Sequence, residues 1–155
     1  MICKIAFLSA VPLTVLLGHR ASVSAQTVSG GGQVDAGQLI KFAFTATTLD
    51  DGSVIGQAQF QLPEQGVRLH IEIDCLLVVD NIAVMTGVVT NSADPTDVGR
   101  TALFAVIDGG EGANGLSDGF TGPFEIRSFL DCDDIGPPPP SFFSPIDAGN
   151  IQVLP

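Results

Sequence analysis

Ile40, Phe42, Phe44 and Ala46 take every second position of one stretch, and Lys41, Ala43 and Thr45 fill the places between them. A period of two sends successive side chains to opposite faces, so this stretch predicts a β-strand with one face in a core. The same alternation returns twice. Val54, Gly56, Ala58, Phe60 and Leu62 alternate with Ile55, Gln57, Gln59 and Gln61, giving one apolar and one largely amide face. Val67, Leu69, Ile71, Ile73 and Cys75 alternate with Arg68, His70, Glu72 and Asp74, which predicts a strand between core and water.

Turn residues punctuate these runs. Asp50-Asp51-Gly52 and Pro63 to Gly66 each reverse the chain, and Asp80-Asn81 predicts a two-residue hairpin turn between Cys75–Val79 and Ile82–Thr90, because both residues tolerate positive φ. Asn91 to Gly99 reads as a polar loop. Thr101 to Ile107 is apolar almost throughout, the pattern of a central strand. Asp108 to Gly122 is glycine-rich and acidic, Phe124 to Leu130 predicts a further strand, and Ile151 to Val153 a short closing one. The prolines of Gly136–Pro140 place an extended surface loop between these last two. Seven to eight short strands with frequent turns predict an all-β fold, either an antiparallel β-sandwich or a small β-barrel.

The N-terminus breaks this pattern. Lys4, an apolar run of 14 residues from Ile5 to Gly18, the pair His19-Arg20 and the small residues Ala21–Ala25 follow one another in the order of a secretory signal peptide. Val23 and Ala25 suit the −3 and −1 positions, so cleavage is expected after Ala25, leaving a single secreted or periplasmic domain over 26–155. The apolar run is too short to cross a ~30 Å hydrocarbon layer as a helix, so the mature chain is expected to have no membrane insertion. Its 155 − 25 = 130 residues suit one domain.

Cleavage deepens the charge. Lys4 and Arg20 leave, four basic residues face 17 acidic ones, and 4 − 17 gives −13. Such a chain repels phosphate backbones and anionic headgroups, which disfavours nucleic acid and membrane surfaces as partners. An outer-membrane barrel is disfavoured too, because Trp and Tyr are absent and the charged and amide faces interrupt any lipid-facing band. Cys75 and Cys132 are the two cysteines left, and an even count in an exported chain predicts a disulfide; two buried free thiols are the other reading.

The chemistry available is sparse. His70 is the one histidine after Ala25 and sits on the polar face of a regular strand, with no nucleophile-elbow motif near it. One histidine without a spare thiolate does not make a usual zinc site. Glu72 and Asp74 share a strand face ~7 Å apart, which admits a carboxylate-dependent hydrolase, although no Trp or Tyr is present to stack on a sugar. The candidate metal ligands are Asp108, Glu111, Asn114 and Asp118, hard oxygen donors interleaved with glycines as calcium prefers, in a spacing unlike the EF-hand. A glycine-rich connection with solvated acids is the competing reading.

Four segments together are similar to the post-COAP family of exported bacterial domains: Gly30-Gly31-Gly32, Asn81-Ile82-Ala83 with Gly87, Asp108-Gly109-Gly110-Glu111-Gly112 and Gly149-Asn150-Ile151-Gln152-Val153. Asp118-Gly119-Phe120 and Phe124-Glu125-Ile126-Arg127 resemble a further family segment, here split by Thr121-Gly122-Pro123. The resemblance implies an exported β domain without an established activity, sometimes joined to other extracellular modules. It carries over no catalytic residue. The expectation is therefore a non-catalytic exported module that acts by structure or by binding an extracellular or envelope partner, with calcium binding as the alternative and carboxylate-dependent hydrolysis as the second.

Overall fold

The computed structural model describes residues 25–110 and 116–155. The predicted signal segment before Ala25, and Glu111 and Asn114 of the acidic loop, lie outside the described residues. The fold is one curled antiparallel sheet, the half-barrel form of the predicted all-β architecture. Its strands are β1 (Thr27–Asp35), β2 (Leu39–Thr48), β3 (Val54–Leu62), β4 (Val67–Val79), β5 (Ile82–Ser92), β6 (Thr101–Ile107), β7 (Gly119–Ile126), β8 (Ser144–Pro145) and β9 (Ala148–Leu154). Their order across the sheet is β8-β7-β6-β5-β4-β3-β2-β1-β9. Eight strands, β1 to β8, thus follow one another as a meander, and the chain end returns to flank β1.

Alternation decides the inside. Ile40, Phe42, Phe44 and Ala46 of β2 are buried, as are Ala58 and Phe60 of β3 and Ile71 and Ile73 of β4. Curling the sheet brings β6 and β7 over them. Phe42 stacks on Phe120 with ring centroids 4.7 Å apart, and Phe60 meets Phe104 edge-on at 5.0 Å. Offset and edge-on pairs contribute about 0.5–1.5 kcal/mol each beyond the burial of area. Phe44 meets the Phe104 ring as well, so four strands share one aromatic cluster.

The turns form as their residues dictate. Asp80 takes the left-handed conformation at φ 54° in the β4–β5 hairpin. Asn81 then donates from Nδ2 to the Asp108 carbonyl at 2.6 Å and accepts the Asp108 N–H at 2.9 Å, tying that hairpin to the end of β6. Pro63–Gln65 and Pro95–Asp97 each make a single 3₁₀ turn, the second capped by the Asp94 side chain on Thr96 N–H.

Three features depart from what the alternation along the sequence announces. First, β1 carries no legible alternation because Gly30-Gly31-Gly32 occupy its middle, yet it lies between β2 and β9 with Val28 and Val34 fully buried. Glycine there permits close packing: a Cβ on Gly30 would sit 2.8 Å from Phe44 Cζ and 2.9 Å from the Asn150 carbonyl oxygen. Second, the strand expected over Phe124–Leu130 begins earlier, at Gly119, which pairs with Ile107, and ends at Ile126. The chain then turns, with Leu130 N–H on the Arg127 carbonyl, and enters the short helix α1 (Cys132–Ile135).

The third concerns Cys75. Ile73 pairs with Gly87 and Cys75 with Thr86, so Asp74 is an extra residue, a β-bulge. One inserted residue reverses the phase of everything after it. Leu76 and Val78 therefore take over the inner face, and Cys75 and Leu77 turn outward. There they join Val84, Ala105, Leu103 and Cys132 in a second, smaller apolar cluster on the outer side of β4, β5 and β6. Covered on both faces, β6 is an interior strand, third from the β8 edge and not at the centre of the sheet, and its uniform hydrophobicity reflects the two apolar clusters it separates.

Candidate functional site

Two places gather polar chemistry: the seam where β9 approaches the ends of β6 and β7, and a cavity beside the β4 bulge. At the seam the sheet has a problem of its own making. Strand β9 pairs with β1 on one side, and its backbone groups on the other side face no strand ladder. Buried N–H groups need acceptors, since leaving one unsatisfied costs about 1–3 kcal/mol.

Asp118 and Asp108 supply them. Asp118 Oδ2 accepts Ile151 N–H at 2.7 Å and its Oδ1 accepts Gly109 N–H at 2.9 Å. Asp108 Oδ2 accepts Val153 N–H at 3.1 Å and its Oδ1 accepts Gly110 N–H at 2.8 Å. All four carboxylate oxygens thus hold a backbone amide, two of them on β9. The Asp118 carbonyl accepts Ile146 N–H, and the Gln33 carbonyl accepts Asp147 N–H, fixing the link between β8 and β9. Of the four residues expected to hold calcium, the structure places Asp108 and Asp118 side by side, half-buried and occupied as backbone acceptors.

The glycine and asparagine segments singled out in the sequence converge here. Gly30 is the register partner of Ile151 and Gly32 of Gly149, Asn81 anchors Asp108, and Asp108 reaches Val153. Scattered over the chain, these residues form one closure.

The remaining sequence candidates stay apart. His70 lies opposite Gln59 on the outer face of β3 and β4, half-exposed. Glu72 lies opposite Gln57 and is solvent-exposed. Asp74 also points outward, but the bulge changes its company: its Oδ1 accepts a long hydrogen bond of 3.4 Å from Thr86 Oγ1.

Cys75 and Cys132 form a disulfide with Cα atoms 5.8 Å apart, closing a separation of 57 residues. It pins α1 against β4 and β5. Asp131 begins that helix by accepting Asp133 and Asp134 N–H at Oδ1, and Asp134 returns a carboxylate to Asp131 N–H, a capping box. The Asp133 carboxylate and both sulfurs lie within 4.8 Å of one another, but the sulfurs are bonded to each other and cannot serve as thiolates for a metal.

Between the bulge and this tethered segment is a cavity of about 650 Å³. Asp74, Asp131 and Asp133 contribute carboxylates to its wall, Thr48 and Thr86 hydroxyls, and Phe129 an aromatic ring. Thr48 is 8% exposed, and its Oγ1 has no hydrogen-bond partner. Reading the sequence missed this cavity. The spacing Asp131–Asp134 ahead of an otherwise loop-like stretch is the signal that could have located the capped turn, whereas nothing local announces the bulge.

Among the described residues no helix is long and apolar enough to cross a membrane. No family model, curated protein or solved structure matches the chain.

Proposed function

We propose that the chain is a non-catalytic exported β module that acts by structure or by binding an extracellular or envelope partner, and that it is related to the post-COAP domains. The observation that carries the reading is the convergence of the Gly30–Gly32, Asn81, Asp108 and Gly149–Val153 segments on the β9 seam. The Asn81 amide and the Asp108 carboxylate are committed to backbone hydrogen bonds, so these residues of the resemblance hold the fold together. A family defined by such residues shares an architecture, and its function lies elsewhere on the surface.

The Cys75–Cys132 disulfide supports the exported part, because such bridges form and persist chiefly in oxidising compartments. The order of charge, apolar run and small residues before Gln26 supports it too.

Expression of the full chain in a secreting bacterial host tests the reading. Intact mass of the exported protein is expected to correspond to a chain beginning at Gln26 with no free thiol. A cytoplasmic product retaining Met1–Ala25, or two thiols that react without reductant, overturns export. Hydrolysis of aryl glycosides that disappears in Glu72→Gln overturns the non-catalytic part.

A further inference from the structure

We propose that the segment from Arg127 to Phe143 is a redox-released strap, lifted from the outside of the sheet when a dithiol reduces the Cys75–Cys132 bridge. This goes beyond the exported-module reading and rests only on the oxidised fold.

What holds the segment down is the first argument. It leaves the end of β7 at Ile126 and rejoins the sheet at Ser144, which pairs with Phe120. Between those anchors Cys132 is the one buried residue. The hydrogen bonds of the segment are largely its own. Leu130 N–H donates to the Arg127 carbonyl, Gly136 N–H to the Cys132 carbonyl, Phe142 N–H to the Pro139 carbonyl and Phe143 N–H to the Pro140 carbonyl. Asp131 and Asp134 cap α1 from within it. Among the described residues, the one hydrogen bond from the segment to the rest of the fold is Cys132 N–H to Cys75 Sγ at 3.2 Å, and it too runs to the bridge. Ordering each residue of a strap costs conformational entropy, which a single buried side chain offsets little. The bridge therefore supplies the hold.

What lies underneath is the second. Leu77 of β4 is the register partner of Val84 of β5, and Val84 that of Ala105 of β6. An apolar row thus crosses the outer face of three strands, the face that an antiparallel sheet ordinarily gives to polar side chains. Val84 and Ala105 are 1% and 2% exposed, and the residues that the segment adds to their cluster are Cys132 and Phe143. Lifting the segment bares this row. The inner core, with Phe42, Phe60, Phe104 and Phe120 packed together, stays covered.

The chemistry is a thiol–disulfide exchange. One thiolate of the dithiol attacks the sulfur of Cys75, which is half-buried and lines the cavity beside the β4 bulge, whereas Cys132 is fully buried. The electron pair of the broken S–S bond leaves on Cys132 Sγ, which takes up a proton, and the segment is free while Cys75 carries a mixed disulfide. The second thiolate of the reductant then closes the reductant's own disulfide and releases Cys75 as a thiol. Two electrons and two protons pass from the dithiol to the two cysteines.

The test compares the full chain, oxidised and after dithiothreitol, by backbone NMR relaxation and by fluorescence of the uncharged dye Nile red. Reduction is expected to lower order parameters over Leu130–Ile135 from about 0.85 to below about 0.6, while Phe60 and Ile71 stay near about 0.85 and dye fluorescence rises. The Cys75→Ser/Cys132→Ser variant is expected to show the same loosening without reductant. Brief treatment with 2-mercaptoethanol, quenched with N-ethylmaleimide, is expected to leave the mercaptoethanol adduct on Cys75 and the maleimide on Cys132; the reverse overturns the route of attack. Unchanged order over Leu130–Ile135 in the reduced protein overturns the strap. So does loss of order at Phe60 and Ile71 along with it, which makes the bridge a support of the whole sheet, and so does loosening without a rise in dye fluorescence.

Discussion

Asp118→Ala removes the acceptor for two backbone amides at once, Ile151 N–H at 2.7 Å and Gly109 N–H at 2.9 Å. Hydrogen bonds to a charged group contribute about 1.5–3 kcal/mol each, and Asp118 is half-buried, which argues for the lower end. Ile151 is 1% exposed, so water reaches its orphaned N–H poorly. The expected loss is about 3 kcal/mol, a large share of the ~5–15 kcal/mol that holds a domain folded. Asp118→Asn keeps one acceptor oxygen and is expected to lose about half as much. Urea unfolding measures both, with an unchanged m-value showing that the two unfolded states expose similar surface. Hydrogen exchange at Ile151 reads the seam directly, and its protection is expected to fall in Asp118→Ala before that of Phe60 in the core. A loss under ~0.5 kcal/mol in Asp118→Ala, the range of ordinary surface substitutions, refutes the closure argument. So does unchanged protection at Ile151.

Three further outcomes follow from other parts of the fold. Reduction of the Cys75–Cys132 bridge is expected to lower stability by about 4 kcal/mol, the chain-entropy value for a closure of this length, measured as the difference in urea stability with and without reductant; a loss under ~1 kcal/mol refutes it. Thr48→Val removes a buried hydroxyl that has no partner and keeps the shape of the side chain, so a gain of about 1 kcal/mol is expected in the same assay, and a loss counts against it. Asp51 and Asp94 are held below the ordinary aspartate value of 3.8, Asp51 by its Ser53 hydroxyl and amide contacts and Asp94 by Thr96 N–H and hydroxyl. A depressed folded pKa stabilises fully above the unfolded value and fades as pH falls through the folded one. Carboxyl NMR titration is expected to give both midpoints below 3.8, and midpoints at or above it refute the contacts.

How much of this was legible in the sequence depends on whether the cause is local. Strands β2, β3 and the first half of β4 are read correctly because their alternation of Phe, Ile and Ala with Gln, Thr and Arg records which side faces the core. The Asp80 turn is equally local. Strand β1 is invisible for the opposite reason: Gly30 and Gly32 are selected by close approach of Phe44, Asn150 and Ala148, residues distant in sequence, and glycine reports no face. The bulge at Asp74 is invisible because Asp74 extends the alternation instead of breaking it. Only pairing with Gly87 and Thr86 reveals the extra residue, and with it the outward turn of Cys75 that lets the disulfide cover the outside of the sheet.

The acidic glycine loop shows why the same residues can be read as a metal site and serve as a closure. Calcium and a row of backbone N–H groups both ask for oxygen acceptors on a backbone free to turn, so Asp and Gly in alternation satisfy either. What separates them is the other partner. At Asp108 and Asp118 that partner is β9, a strand with one paired edge, and an unpaired edge is itself a row of donors seeking acceptors. A carboxylate reaches where a neighbouring strand cannot, and two of them serve Ile151 and Val153, one residue in two along the edge, as the pleat requires. The loop is therefore placed by the sheet's need for closure, and its acidity follows from the donors it meets.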